Sequence, residues 1–213
     1  MGEQERPQGR AEEREASAGA ASGRLDALMA AVKATGGRGP APVERWNPPD
    51  CGDMDMRIAA DGTWFYMGTP IGRPALVRLF ASVLTREDER YVLKTPVEKI
   101  GIRVDDTPFL AVEMAVDAGE GGAELVFRTN LDDLVRCGPG HDLRFVPGEG
   151  EGEVRPYVHV RHGLEARLTR AVFLDLVERG EVREADGIPM FGVASGAAFY
   201  PMMPASALDL AGQ

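Results

Sequence analysis

The sequence predicts an α+β fold made of two repeated units, each a strand, a tight turn and an amphipathic helix set beside antiparallel sheet. Three observations predict it. Asp61 to Leu84 (DGTWFYMGTPIGRPALVRLFASVL) reads as strand, turn and helix, and a second copy of that plan follows from about residue 155. Between and around these units lie β-prone segments separated by short polar turns.

In the first unit, Thr63–Met67 is aromatic and β-prone and is opened by the Asp61-Gly62 turn. Pro70 ends the strand because it has no N–H to give to a ladder. Pro74 suits the first turn of a helix, where a missing donor costs nothing. Leu76, Val77, Leu79, Phe80, Val83 and Leu84 then recur at the spacing of one buried helical face. In the second unit, Tyr157–Val160 is the strand, Arg161–Arg170 the connection and Ala171–Arg179 the helix, stopped by Gly180. Aligned helix on helix, Leu76, Val77, Leu79 and Phe80 fall on Phe173, Leu174, Leu176 and Val177, and Arg73 falls on Arg170. The strand halves match poorly in identity, so the repeat is one of plan.

In chain order, residues 1–22 are rich in Glu, Arg, Ala, Gly and Ser without aliphatic periodicity, and disorder is expected. Arg24–Ala34 has Leu25, Leu28, Met29 and Val32 at helical spacing before Gly36-Gly37. So short a helix offers little burial, and removal of residues up to about 40 is expected to leave the melting temperature unchanged. Gly36–Pro49 is a Pro/Gly connector whose Trp46 is expected to pin it to the core, a partner-binding Trp being the sharper alternative. Met54, Met56 and Ile58 alternate with polar residues and form a hairpin with Thr63–Met67. The helix from Pro74 to about Leu84 is followed by strands at Tyr91–Leu93 and Val97–Val104. Phe109–Val116 and Glu124–Arg128 continue from Val97–Val104 as an antiparallel meander. Asn130 caps a short helical turn through Leu134, Leu143–Val146 is a short strand, and GEGEGE at 148–153 is an exposed acidic loop. Ile188–Met202 reads as two strands. The domain reading is therefore a tail with a short helix at 1–40, a first unit at 41–130 and a second at 131–213.

No apolar run reaches the roughly 18 residues of a membrane helix. The N-terminus has no apolar stretch of a signal peptide, and Arg6 stands where a myristoylation motif needs Ser or Thr. Two cysteines, Cys51 and Cys137, make no disulfide framework, and a cytoplasmic protein is expected. A net charge of −10 argues against polymeric nucleic acid and anionic membrane as partners. Its distribution matters more: residues 101–154 hold twelve acidic groups and four arginines, whereas 155–170 hold four arginines, two histidines and one glutamate.

Catalytic motifs are missing. The glycines at 148–152 lack the Lys-Ser/Thr ending of a phosphate loop, and no dinucleotide fingerprint follows a strand. Ser195 in GVASG is no nucleophile elbow. Cys51, Asp53, Asp55, Cys137 and His141 lack the paired spacing of zinc or calcium ligands, so no metal is assigned. The arginines carry more. Arg73 and Arg170 each precede a helix N-terminus, where backbone N–H groups and the helix dipole favour an anion. Arg167 lies three residues before Arg170, and strand alternation puts Tyr157, His159 and Arg161 on one face. A ring, an imidazole and guanidinium groups together suit a nucleotide-like ligand. The competing reading pairs these arginines internally with Asp and Glu, and surface charges of both signs normally mix in that way.

The segment WNPPDCGDMDMRIAADGTWFYMGTPIGRPALVRLFASVL, followed by YVLKTPVEKIGIRVDDTPF, resembles the bacterial family called Domain of Unknown Function 1285. The resemblance is close from Trp46 to about Phe109 and looser over LEARLTRAVFLDLVERG and GVASG. It implies a duplicated α+β core whose second domain is superficially like a pleckstrin-homology barrel. For that family a nucleotide-like ligand between the domains and a signalling role have been proposed, and no activity is established. The family has no agreed functional residues, so the candidate site rests on the chemistry above. The reading adopted is a protein that binds a small anionic ligand between its units through Arg73, Tyr157, His159, Arg161, Arg167 and Arg170. It names no catalytic residue and no cofactor, and it leaves the oligomeric state open. The alternatives are a hydrolase or transferase using Asp53, His159 or Ser195, and a scaffold recruiting a protein through Trp46.

Overall fold

Two six-stranded sheets with the same strand order form the body of the protein, seen in a computed structural model that describes residues 23, 25–34, 39–119, 121–148, 150 and 153–208. The stretch expected to be disordered, 1–22, lies outside the described residues, as do Arg24 and part of the acidic loop. Helix α1 covers residues 25–34, and a single 3-10 turn, Val43–Arg45, follows.

The first sheet contains β1 (Asp50–Ile58), β2 (Trp64–Tyr66), β3 (Thr69–Pro70), β4 (Leu84–Glu87), β5 (Arg90–Lys94) and β6 (Lys99–Val104). Its spatial order is β3-β2-β1-β6-β5-β4. The second contains β7 (Phe109–Gly119), β8 (Gly122–Thr129), β9 (Leu134–Arg136), β10 (Leu143–Pro147), β11 (Val154–Arg161) and β12 (Leu164–Leu168). Its order is β9-β8-β7-β12-β11-β10, so each sheet is two antiparallel meanders joined through a central parallel pair, β1 with β6 and β7 with β12. A parallel pair cannot be closed by a tight turn, and here the intervening strands supply the crossover. A third sheet, β13 (Glu181–Ala185), β14 (Ile188–Ser195) and β15 (Ala198–Pro204), follows.

The duplication is thus one of sheets, and it corrects the sequence reading in three ways. The protein is mostly β. Leu84–Glu87, Leu134–Arg136, Leu164–Leu168 and Glu181–Ala185 are all strands: Leu164, Ala166 and Leu168 alternate with polar residues, while the other three are too short or too polar to give that signal. The units divide between β6 and β7, not at residue 130, because β7 and β8 pair with β12 and β9. The expected meander of 97–104, 109–116 and 124–128 is therefore cut in two at Asp105–Pro108. Finally, the two helices are not equivalent. Helix α2 (Pro74–Ser82) joins the third and fourth strands of the first sheet, whereas α3 (Arg170–Val177) comes after the sixth strand of the second. Arg73 and Arg170 hence occupy unrelated places in the repeat. No helix forms at Asn130–Leu134 either: the Asn130 carboxamide oxygen accepts from Leu110 N at 3.0 Å, and Thr129 Oγ1 accepts from Leu131 N and Asp133 N.

One continuous apolar cluster runs through both sheets, with Trp64 stacked on Phe80 at 6.3 Å in the first and Phe109 and Phe127 buried in the second. Trp46 packs half-buried against it, as expected. Helix α1 does more than expected. Leu28 and Val32, four residues apart on one helical face, are 0% and 1% exposed within the cluster. Burying two aliphatic side chains is what lets so short a helix hold its place. Leu28→Ala should therefore cost about 2–5 kcal/mol, read as a lower urea midpoint at constant m-value, and removal of residues 1–40 should lower the melting temperature. An unchanged melt on truncation would refute the docking.

Candidate functional site

A cleft of about 840 Å³ opens where the first sheet, the Asp105–Pro108 linker and the second domain meet. Local structure fixes each wall. Ala60 lies in the turn between β1 and β2, and the linker is tied to β1 by Asp105 N donating to Ile58 O at 2.9 Å. Arg167 sits in β12, directly opposite Tyr157 of β11 and Leu110 of β7. Thr169 is extended and caps α3, its hydroxyl accepting from Val172 N, so Arg170 falls in the first helical turn on the cleft rim. Leu110, Pro156, Phe173 and the 54% exposed Leu174 give the cleft an apolar side.

Most charges here are already satisfied. Arg167 Nη1 lies 2.9 Å from Asp106 Oδ2, and its Nη2 donates to Ala60 O at 3.0 Å. The Tyr157 hydroxyl donates to Asp106 Oδ1 at 3.0 Å, and burial together with this bond pushes the phenol pKa up. Asp106 Oδ2 is buried and has the ion pair but no well-directed hydrogen bond. Asp105 pairs with Arg57 at 2.6 Å, and Arg155 with Glu153 at 3.5 Å. Arg170 stands apart: it is exposed and has no hydrogen bond or ion pair to a described residue.

The structure brings Arg167 and Arg170 together on the cleft and Tyr157 beneath it through Asp106. It does not bring the other three there. Arg73 caps α2, exposed and outside the cleft lining. His159 follows Tyr157 along β11, but its Nδ1 lies 2.6 Å from Gly140 O, and its ring neighbours His141 at 5.9 Å. Arg161 departs from the expected face because the β11–β12 register shifts between His159 and Arg161. It lies over Phe109 at 4.8 Å, pairs with Asp133 at 2.7 Å and donates to Ala81 O across the domain boundary. It thereby lines a smaller groove of about 410 Å³ beside α2, where Arg78 reaches Asp132. The sequence reading missed Arg155, Asp106 and Phe173. Asp105-Asp106 lie together just before a strand, but adjacent carboxylates ahead of Thr107-Pro108 have the local pattern of a turn.

The residues of the enzymatic alternative are dispersed. The Ser195 hydroxyl is buried, accepting from Leu125 N at 2.9 Å and donating to Cys137 O at 2.7 Å, and so joins β14 to the second sheet. Burial pushes the Cys137 thiol up, away from the thiolate. Asp53 is held by Arg90 at 2.6 Å. Arg90 occupies the space over Gly101, where a Cβ would stand 2.5 Å from Arg90 Nη2. Among the described residues, no three of His, Cys, Asp and Glu converge as metal ligands, and no helix is long and apolar enough to cross a membrane.

Duplicated six-stranded sheets, a third small sheet and a charged cleft at the domain junction define a mostly β, two-domain protein. The chain belongs to the family described as Domain of unknown function (DUF1285): residues 41–107 match its N-terminal domain and residues 108–202 its C-terminal domain. It is similar to a DUF1285 family protein from Silicibacter pomeroyi DSS-3, known from a crystal structure. The two are 49% identical, over 85% of this chain and 97% of that one, with a TM-score of 0.77. A DUF1285 family protein from Shewanella baltica OS155 is 29% identical over 58% of this chain and 90% of its own, with a TM-score of 0.46. No curated protein matches.

Arg167→Ala removes the charge that balances a half-buried carboxylate and a bond that reaches the first domain. It should cost about 1.5–3 kcal/mol in chemical denaturation. A loss within about 0.5 kcal/mol, the range of ordinary surface substitutions, would show that the pair does not hold the junction.

Proposed function

We propose that this protein binds a small anionic ligand in the cleft at the junction of its domains and acts by that binding in a regulatory or signalling role, without catalysis. One observation carries the reading: Arg170 stands unpaired on the rim while the cleft's other two arginines are matched by carboxylates. A cation in the first turn of a helix opposes the helix dipole, and an anion bound there relieves that repulsion. The apolar side formed by Leu110, Phe173 and Leu174 suits an organic body attached to the anionic group, and the Phe173 ring suits a planar one, such as a nucleotide-like base. The pleckstrin-homology-like description of the second domain belongs to the same proposal.

A thermal-shift screen of nucleotides and acidic metabolites tests the proposal, since a ligand present at 100 times its Kd adds about 2.7 kcal/mol of stability. Arg170→Ala should weaken the best ligand by about ten- to a hundredfold, the equivalent of one charge-assisted bond. The empty protein's melt should stay within about 0.5 kcal/mol of wild type, because the side chain has no described partner to strand. Unchanged affinity in the variant would remove the cleft from consideration.

A further inference from the structure

The third sheet ends on an edge that no described strand covers. The outer face of β13 is exposed along most of its length, and Val182 within it is 54% exposed. Proteins usually blunt such edges, and the other edges of this one are blunted, β10 by its terminal Pro147 and by β15 packed beside it. Strand β3 has two residues and ends in Pro70, and β9 has three. Strand β4 is engaged by the second domain, Arg86 N donating to His162 O at 3.1 Å. Strand β15 carries Pro201 and Pro204, and the Tyr200 hydroxyl reaches Asp142 beside β10. By contrast, β13 has no proline, and its ladder with β14 runs unbroken from Glu181↔Gly192 to Ala185↔Ile188.

We propose that two copies of this chain associate edge to edge through β13, antiparallel about a two-fold axis at Val182, forming one continuous six-stranded sheet. Charge complementarity selects this occupant and this register. Side chains directly opposed in an antiparallel pair share a face of the sheet. Two identical strands related by a two-fold axis must therefore place some residue opposite its own copy. Centred on Arg183, the pairing sets guanidinium against guanidinium; centred on Glu184, carboxylate against carboxylate. Centred on Val182, it sets two exposed valines together and flanks them on both sides with Glu181 opposite Arg183. Those two side chains already share a face, paired within the strand at 2.6 Å. Charges on an edge ordinarily repel a second strand, but the order Glu181-Val182-Arg183 is its own complement.

Sedimentation velocity on the full chain at rising protein concentration tests this. Wild type should sediment as a dimer, and Glu181→Arg or Arg183→Glu alone should raise the dimer Kd by about tenfold or more, since each sets two like-charge pairs opposite one another. The double reversal, Glu181→Arg with Arg183→Glu, rebuilds the complement and should restore the dimer. At concentrations well below the dimer Kd all three variants should melt like wild type, because the altered side chains lie at the surface and no association then adds to stability. A wild type that stays monomeric, single variants that dimerise as wild type does, or a double reversal that fails to restore the dimer would each overturn the proposal.

Discussion

The junction of the two domains depends on one guanidinium and one carboxylate. Arg167 reaches Asp106 of the linker and the carbonyl of Ala60 in the β1–β2 turn, so a side chain on the second sheet holds both the linker and the first sheet. Asp106 in turn accepts from the Tyr157 hydroxyl, one strand further along. A half-buried pair of this kind adds little net stability over an apolar contact, yet breaking it strands a charge. That asymmetry makes it a device for fixing the relative placement of domains. Arg161 does the same on the other side of the boundary, through Asp133 and Ala81 O.

The two sheets repeat one strand order, but the helices sit at different points of it, and this difference makes the cleft. In the first sheet the helix bridges two meanders. In the second that bridge is a loop, and the freed position after β12 is taken by α3, whose first turn faces the linker. Had the helices been equivalent, Arg170 would lie at a meander crossover, as Arg73 does, and not beside Asp105 and Asp106. The repeat supplies the scaffold and its departure from symmetry supplies the site.

In the basic strip of 155–170 the structure pairs three of the four arginines internally and leaves Arg170 without a described partner. Arg155, Arg161 and Arg167 are matched by Glu153, Asp133 and Asp106. Two of these acidic partners arrive by folding, since Asp106 and Asp133 are far from their arginines in the chain, whereas Glu153 is a sequence neighbour of Arg155. What is left for the proposed ligand is the single charge of Arg170, which suits one anionic group on an apolar body better than a polyphosphate.

By itself the sequence determined the local elements whose signal is local. Examples are the aromatic strand of Trp64, the helix begun by Pro74, the helix stopped by Gly180 and the pinning of Trp46, each written in a few neighbouring residues. Half of the candidate site was legible in the same way, since an arginine before a helix start is a local pattern. Tertiary structure alone decided the rest. Which sheet β7 joins depends on pairing with β12, more than fifty residues away, and polar strands such as β13 gain their order from neighbours and not from their own periodicity. Arg161 left the expected face because of one shift in register, and Arg167 found Asp106 because two domains docked. Hydrogen-bond pairing between strands and charge pairing between domains join residues remote in sequence, and no window along the chain contains both partners.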